Sequence, residues 1–252
     1  MNDILEELSS CGLLCAALVV HMAEGLLARK SVGLAGAAVF SSLAALSTVI
    51  IPARIQPSFP PLPFLLFDPA EFFVVLAFLI FGPIPAFIVA TVHWIFLTVT
   101  GSGAPLGPLA KFTAVVATLI GFWIGSKFYG RLVPRYRTFW GTIVCLIVFG
   151  VFARIVITLV VNYYIFTFIG PVVFGIDYLG FGQKTLQMTL KLKFIGPEAI
   201  LSAMLVYTSI YNILQALLAI AVPYFIFTPL SVRVPEIASG NPWVSNFTKH
   251  RA

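Results

Sequence analysis

Six apolar runs, each close to the length of a membrane crossing, lie between Leu34 and Phe227 and are separated by short polar or proline-bearing connections. A helix rises about 1.5 Å per residue, so about 20 apolar residues match the roughly 30 Å hydrocarbon layer of a bilayer. That pattern leaves a bundle of membrane-spanning helices as the expected fold. Composition agrees, since 60% of the residues are hydrophobic, 10% are charged and the mean hydropathy is +1.04. A soluble domain with that balance would aggregate. The runs use up the bulk of the 252 residues, which excludes a soluble catalytic or nucleotide-binding domain. No Gly-x-x-x-x-Gly-Lys-Ser/Thr loop occurs either, so any ATP-driven work falls to a partner. The expected architecture is an all-α integral membrane protein. A six-transmembrane-helix bundle occupies residues 31–230, an N-terminal amphipathic helix or extra span residues 1–30, and a polar cytoplasmic tail residues 231–252.

The runs predict spans over residues 34–52, 68–82, 84–100, 108–128, 141–166 and 198–227. In the first thirty residues the apolar stretch from Cys11 to Leu27 is broken by His21 and Glu24, and the acidic start is unlike a secretory signal. Lys127, Arg131, Arg135 and Arg137 cluster in one short connection, which marks it as cytoplasmic. Counting spans from there puts Arg29, Lys30, Arg233, Lys249 and Arg251 on the same side. The chain is thus expected to be a multi-pass protein of the cell membrane with a cytoplasmic C-terminus. The net charge of +6 follows this topology, and without a basic patch interleaved with aromatics no nucleic-acid partner is expected. Cys11, Cys15 and Cys145 form neither a disulfide framework nor a zinc spacing, so no metal or cofactor is expected.

Chemistry concentrates around Asp68 and Glu71, which stand between a proline-rich lead-in and an apolar run. Asp68 before Pro69 fits a helix N-cap followed by proline at the first helical position, and Glu71 adds an acid to the first turn. Pro57, Pro60, Pro61 and Pro63 forbid a helix from Arg54 to Leu66, and a loop of that length is expected to act as a lid. Polar groups inside spans avoid lipid, so Lys111, His93, Arg154, Asn162, Asn212 and Gln215 are expected to face the interior or the rims. Arg154 reads as one half of a structural ion pair. His93, beside Trp94, either lines a cavity or bonds a backbone carbonyl. Asn162 with Tyr163 and Tyr164 suits either recognition of a flat hydrogen-bonding ring or an interfacial aromatic belt. Ala37, Ser41 and Ala45 form a small-residue stripe that packs internally or admits a second helix. The spans offer no pair of histidines or carboxylates at ligand spacing, which argues against an intramembrane enzyme. A structural scaffold stays open.

Five short motifs carry a resemblance: Phe67-Asp68-Pro69-Ala70-Glu71, Gly82-Pro83, Gly107-Pro108-Leu109-Ala110-Lys111, Asn162-Tyr163 and Asn212-Ile213-Leu214-Gln215. Over about residues 34 to 228 the chain resembles the substrate-binding S component of energy-coupling-factor (ECF) vitamin transporters, most of all the riboflavin-type branch. The resemblance implies a non-enzymatic subunit that binds a vitamin, with riboflavin first and folate, pantothenate or thiamine behind it. It also implies a coupling transmembrane subunit and two ATP-binding cassette ATPases as partners in the lipid bilayer, met through Ala37, Ser41 and Ala45. The expected substrate site joins Phe67, Asp68, His93, Trp94, Lys111, Asn162, Tyr163, Asn212 and Gln215. Three departures bear on the ligand: Gln215 stands where the family has lysine, Lys111 where it has asparagine, and Glu71-Phe72 replaces an Asp-Ile-Pro-like ending.

Overall fold

The computed structural model describes residues 31–51, 55–100, 105–132, 139–191, 194 and 196–233. Its described residues form a predominantly helical, multi-pass membrane protein. Helix α1 covers Ser31–Ile50. A two-stranded antiparallel hairpin follows, β1 (Ser58–Phe59) and β2 (Leu62–Leu66), then helices α2 (Ala70–Phe81), α3 (Pro83–Val99), α4 (Leu106–Leu132) and α5 (Phe139–Tyr164). Helix α5 continues as π-helical turns over Ile165–Val173, and α6 (Tyr178–Leu190) and α7 (Pro197–Arg233) complete the described chain. By length and hydropathy α1, α4, α5 with its π extension, and α7 can each cross a bilayer, while α2 and α3 are shorter apolar helices.

Helix α2 is the centre of the bundle. Every residue from Val74 to Ile80 is buried, because α2 packs against α3, α4 and α7 at once, and a helix apolar on all sides is stable only when surrounded. Gly82 alone connects α2 to α3. Its φ of 95° is open to glycine and strained for other residues, and it lets Pro83 start the next helix where a missing N–H is harmless. Helices α4 and α5 make the most extensive contact, and their backbones meet so closely that a Cβ at Gly121 would collide with the Phe149 carbonyl. Helix α1 packs across the α2–α3 turn, with Phe40 edge-on to Phe81.

A second apolar cluster lies at the other end of α2. There Phe59 and Leu62 of the hairpin pack with Ile165, Phe166, Leu186 and Met204, so hairpin, π turns, α6 and α7 close one end of the bundle together.

Several expectations need correction. The proline-rich segment is a paired hairpin, with Phe59 opposite Leu62 and Ser58 opposite Leu66, because prolines that exclude a helix are tolerated at strand edges. The fifth span does not stop near residue 166 but continues in π-helical turns to Val173. Helix α1 turns Ala37 and Ser41 into the core and leaves Ala45 half-buried, so this stripe packs inside the bundle, while Ala35, Ala38 and Ser42 face outwards. The N-terminal segment 1–30 and all but the first few residues of the tail 231–252 lie outside the described residues.

Candidate functional site

The site is assembled where the hairpin hands over to α2. Asp68 Oδ1 accepts from the Ala70 N–H at 2.8 Å, although Pro69 and not Asp68 stands at the N-cap of α2, and the other carboxylate oxygen pairs with Lys111 of α4. One turn on, Glu71 meets Arg154 of α5 in a bidentate pair: Nη1 donates to Oε2 at 2.7 Å and Nη2 to Oε1 at 3.2 Å. Arg154 Nε donates to Asn212 Oδ1 of α7 at 2.9 Å. Both members of this pair are buried. Such a pair is tolerable only with this kind of geometry, two parallel bonds plus further partners for the remaining donors.

Helix α7 also fixes the hairpin through main-chain acceptors. Tyr211 Oη donates to the Leu66 carbonyl at 2.6 Å, and Gln215 Nε2 donates to the Asp68 carbonyl at 3.1 Å. Between these elements lies a cavity of about 490 Å³, a size that suits a small molecule. Its walls are mainly apolar. Phe64 and Leu65 of β2, Leu97 of α3 and Phe166 of the π turns contribute, while Asp68, Glu71, Lys111, Arg154, Asn162 and Asn212 bring polar groups from α2, α4, α5 and α7. Phe64 and Phe181 of α6 meet ring to ring at 5.8 Å, tying the hairpin to α6 beside the cavity.

No protein-family model matches the chain, and no curated protein matches it by sequence. Its fold does have a solved counterpart. The chain is similar in structure to the S component of a bacterial ECF transporter, with a TM-score of 0.56 and 17% sequence identity, over 81% of this chain and 98% of that chain.

Of the expected substrate residues, Asp68, Lys111, Asn162 and Asn212 line the cavity. The other five do not. Phe67 turns away and packs its ring against Phe59 and Tyr211. His93 is buried between α1 and α3, where Nε2 and Thr48 Oγ1 are 3.0 Å apart, and Trp94 stacks on Phe112 at 4.9 Å. Tyr163 lies on the exposed side of α5, edge-on to Tyr164. Gln215 is buried below the cavity as a support for Asp68. In the opposite sense, sequence reasoning passed over Thr158, Thr208, Tyr178 and Tyr211, all of which line the cavity. For Thr158 a signal existed: Arg154, Thr158 and Asn162 stand at four-residue spacing and therefore on one face of α5.

Proposed function

We propose that this chain is the substrate-binding S component of an ECF-type transporter, taking up a vitamin with the help of a coupling transmembrane subunit and two ATP-binding cassette ATPases. The observation that carries the reading is the cavity of about 490 Å³ at the hairpin end of the bundle, in a fold similar to that of a known S component. The absence of a phosphate-loop motif in the sequence supports the same reading, because energy has to come from elsewhere. Riboflavin is the first ligand to test. Asn162 lines the cavity, and an amide suits the mixed donors and acceptors of a heteroaromatic edge, whereas the Asn212 amide is engaged by Arg154 and by the Thr208 carbonyl. With the basic connection at residues 127–137 cytoplasmic, the hairpin faces outwards, ready to admit ligand, and the C-terminus is cytoplasmic.

The test is purification of the protein in detergent, followed by native mass spectrometry and titration with riboflavin, folate, pantothenate and thiamine. Saturable binding of one of them, and co-purification with a coupling subunit and ATPases, is the expected outcome. A protein that carries no small molecule and binds none of the four would overturn the proposal.

A further inference from the structure

Charge is divided unevenly along this bundle. The four carboxylates among the described residues all belong to the hairpin end: Asp68 and Glu71 where the hairpin meets α2, Asp177 at the cap of α6 and Glu198 in the first turn of α7. No aspartate or glutamate occurs between Glu71 and Asp177. Yet Lys127 and Arg131 stand exposed on the last turns of α4, at the opposite end. Helix α5, which makes the most extensive contact with α4, carries no charge from Phe139 to Ala153. Neither cation is ion-paired with a described residue.

Their surroundings are apolar and face the lipid. Ile120, Trp123, Ile124, Lys127, Phe128 and Arg131 follow the i, i+3, i+4, i+7, i+8, i+11 pattern of one helix face, and all six are exposed. The other side of α4 is pressed on α5 at Gly121 and Gly125. Lys127 Nζ stands 3.7 Å from the centre of the Trp123 ring, a cation–π contact that holds the ammonium on the lipid-facing side without neutralising it. The apolar span of α4 ends at Tyr129, so Trp123 lies about two turns inside its end and Arg131 just beyond it. That is the depth order of an interfacial tryptophan followed by cations at headgroup level. The general excess of basic residues in cytoplasmic loops explains how many cations gather here. It does not explain a lysine seated on a tryptophan along the lipid-facing side.

We propose that Trp123, Lys127 and Arg131 form a binding site for the phosphate headgroup of an anionic phospholipid, in the leaflet at this end of the bundle. The headgroup supplies the negative charge that this end lacks among the described residues. A lipid is favoured over an acidic protein because the same face is apolar for the two turns before the cations, where acyl chains fit and a soluble acidic surface does not. The site goes beyond the function proposed above and does not depend on what the cavity holds.

The experiment titrates the whole purified protein, in a non-ionic detergent, with short-chain phosphatidylglycerol and phosphatidylcholine, reading bound lipid by native mass spectrometry. Phosphatidylglycerol is expected to bind more tightly. A cation near a membrane surface contributes roughly fivefold, so Lys127→Gln alone should weaken phosphatidylglycerol about fivefold, and Lys127→Gln with Arg131→Gln about thirtyfold. Lys127→Arg with Arg131→Lys should keep the preference. Lys184→Gln with Lys191→Gln, which removes two exposed lysines of the α6 region, should leave it unchanged. Thermal unfolding in detergent confirms that each variant is folded. Equal binding of the two lipids, or a preference that survives the paired glutamines on α4, would overturn the site. An equal loss in the α6 pair would overturn it too, by showing that net charge alone is read. Inorganic phosphate competing at the same concentration as the lipid would assign the site to a free anion. An acidic protein that co-purifies with the parent chain and is lost with the α4 pair, while phosphatidylglycerol binding persists, would assign the surface to a protein. Either result overturns the proposal.

Discussion

Glu71 and Arg154 stand on two helices, α2 and α5, and meet through two parallel hydrogen bonds of 2.7 and 3.2 Å in the buried centre of the bundle. Removing one partner leaves the other charged and dry. Glu71→Gln is therefore expected to destabilise the protein by about 3 to 5 kcal/mol, the usual penalty for breaking a buried pair from one side. Replacing both, as Glu71→Leu with Arg154→Leu, should recover a large part of that loss, because no charge is left stranded. Thermal unfolding in detergent measures both, and a double variant no more stable than the single one would contradict the account.

Tyr211 holds the hairpin by one bond to the Leu66 carbonyl. Tyr211→Phe keeps the ring packing against Phe59 and Phe67 and loses about 0.5 to 1.5 kcal/mol of hydrogen bonding. If the hairpin gates the cavity, ligand release should quicken by up to about tenfold while the unfolding temperature moves little. Stopped-flow release of riboflavin provides the reading, and an unaltered rate would rule out Tyr211 as a latch.

On α1, two neighbouring serines are expected to behave differently. Ser41 is buried, so Ser41→Trp should overpack the core and cost about 1 to 3 kcal/mol or more. Ser42 is exposed and bonds only its own helix, at the Ala38 carbonyl. Ser42→Trp should leave stability nearly unchanged and, under the proposed function, should reduce co-purification with the coupling subunit through the outward face of Ala35, Ala38 and Ser42. Full complex formation by Ser42→Trp would place the partner elsewhere.

Gly82 occupies a conformation with φ 95° and ψ −171°, in a region where side chains are strained by about 1 to 3 kcal/mol. Gly82→Ala should destabilise by that amount, through the α2–α3 turn and without touching the cavity. Ligand affinity of the folded fraction should stay the same, and a change in affinity would show that the turn also shapes the site.

Much of this was legible from the chain because membrane helices announce themselves. Apolar runs located α2 and α3 to within two residues at each end while stopping short of the polar C-terminal turns of α4 and α7, Gly82-Pro83 marked a turn that few other pairs can make, and an arginine in the middle of α5 called for an acid. Direction around each helix was harder. Helix α7 is apolar along most of its 37 residues, so no polar face told which side looks inward. Sequence alone makes Asn212 and Gln215 equal candidates for ligand contact, yet only Asn212 lines the cavity. His93 and Trp94, adjacent in sequence, point about 100° apart and find partners on α1 and α4. The hairpin was hidden for another reason: prolines say what a segment cannot be, whereas strand pairing depends on residues brought together by the rest of the fold.

The brevity of α2 has a consequence for where a ligand would rest. Twelve residues rise about 18 Å, well short of a hydrocarbon layer of about 30 Å. With the Gly82 turn at one boundary, the first residue of α2, Ala70, stops about 12 Å below the other. On that side of α2 lies the hairpin, whose two strands pair with each other along their inner edges and pack with the π turns, α6 and α7. Under the proposed function, a molecule held at Asp68 would therefore lie inside the thickness of the membrane, on the α2 side of the hairpin.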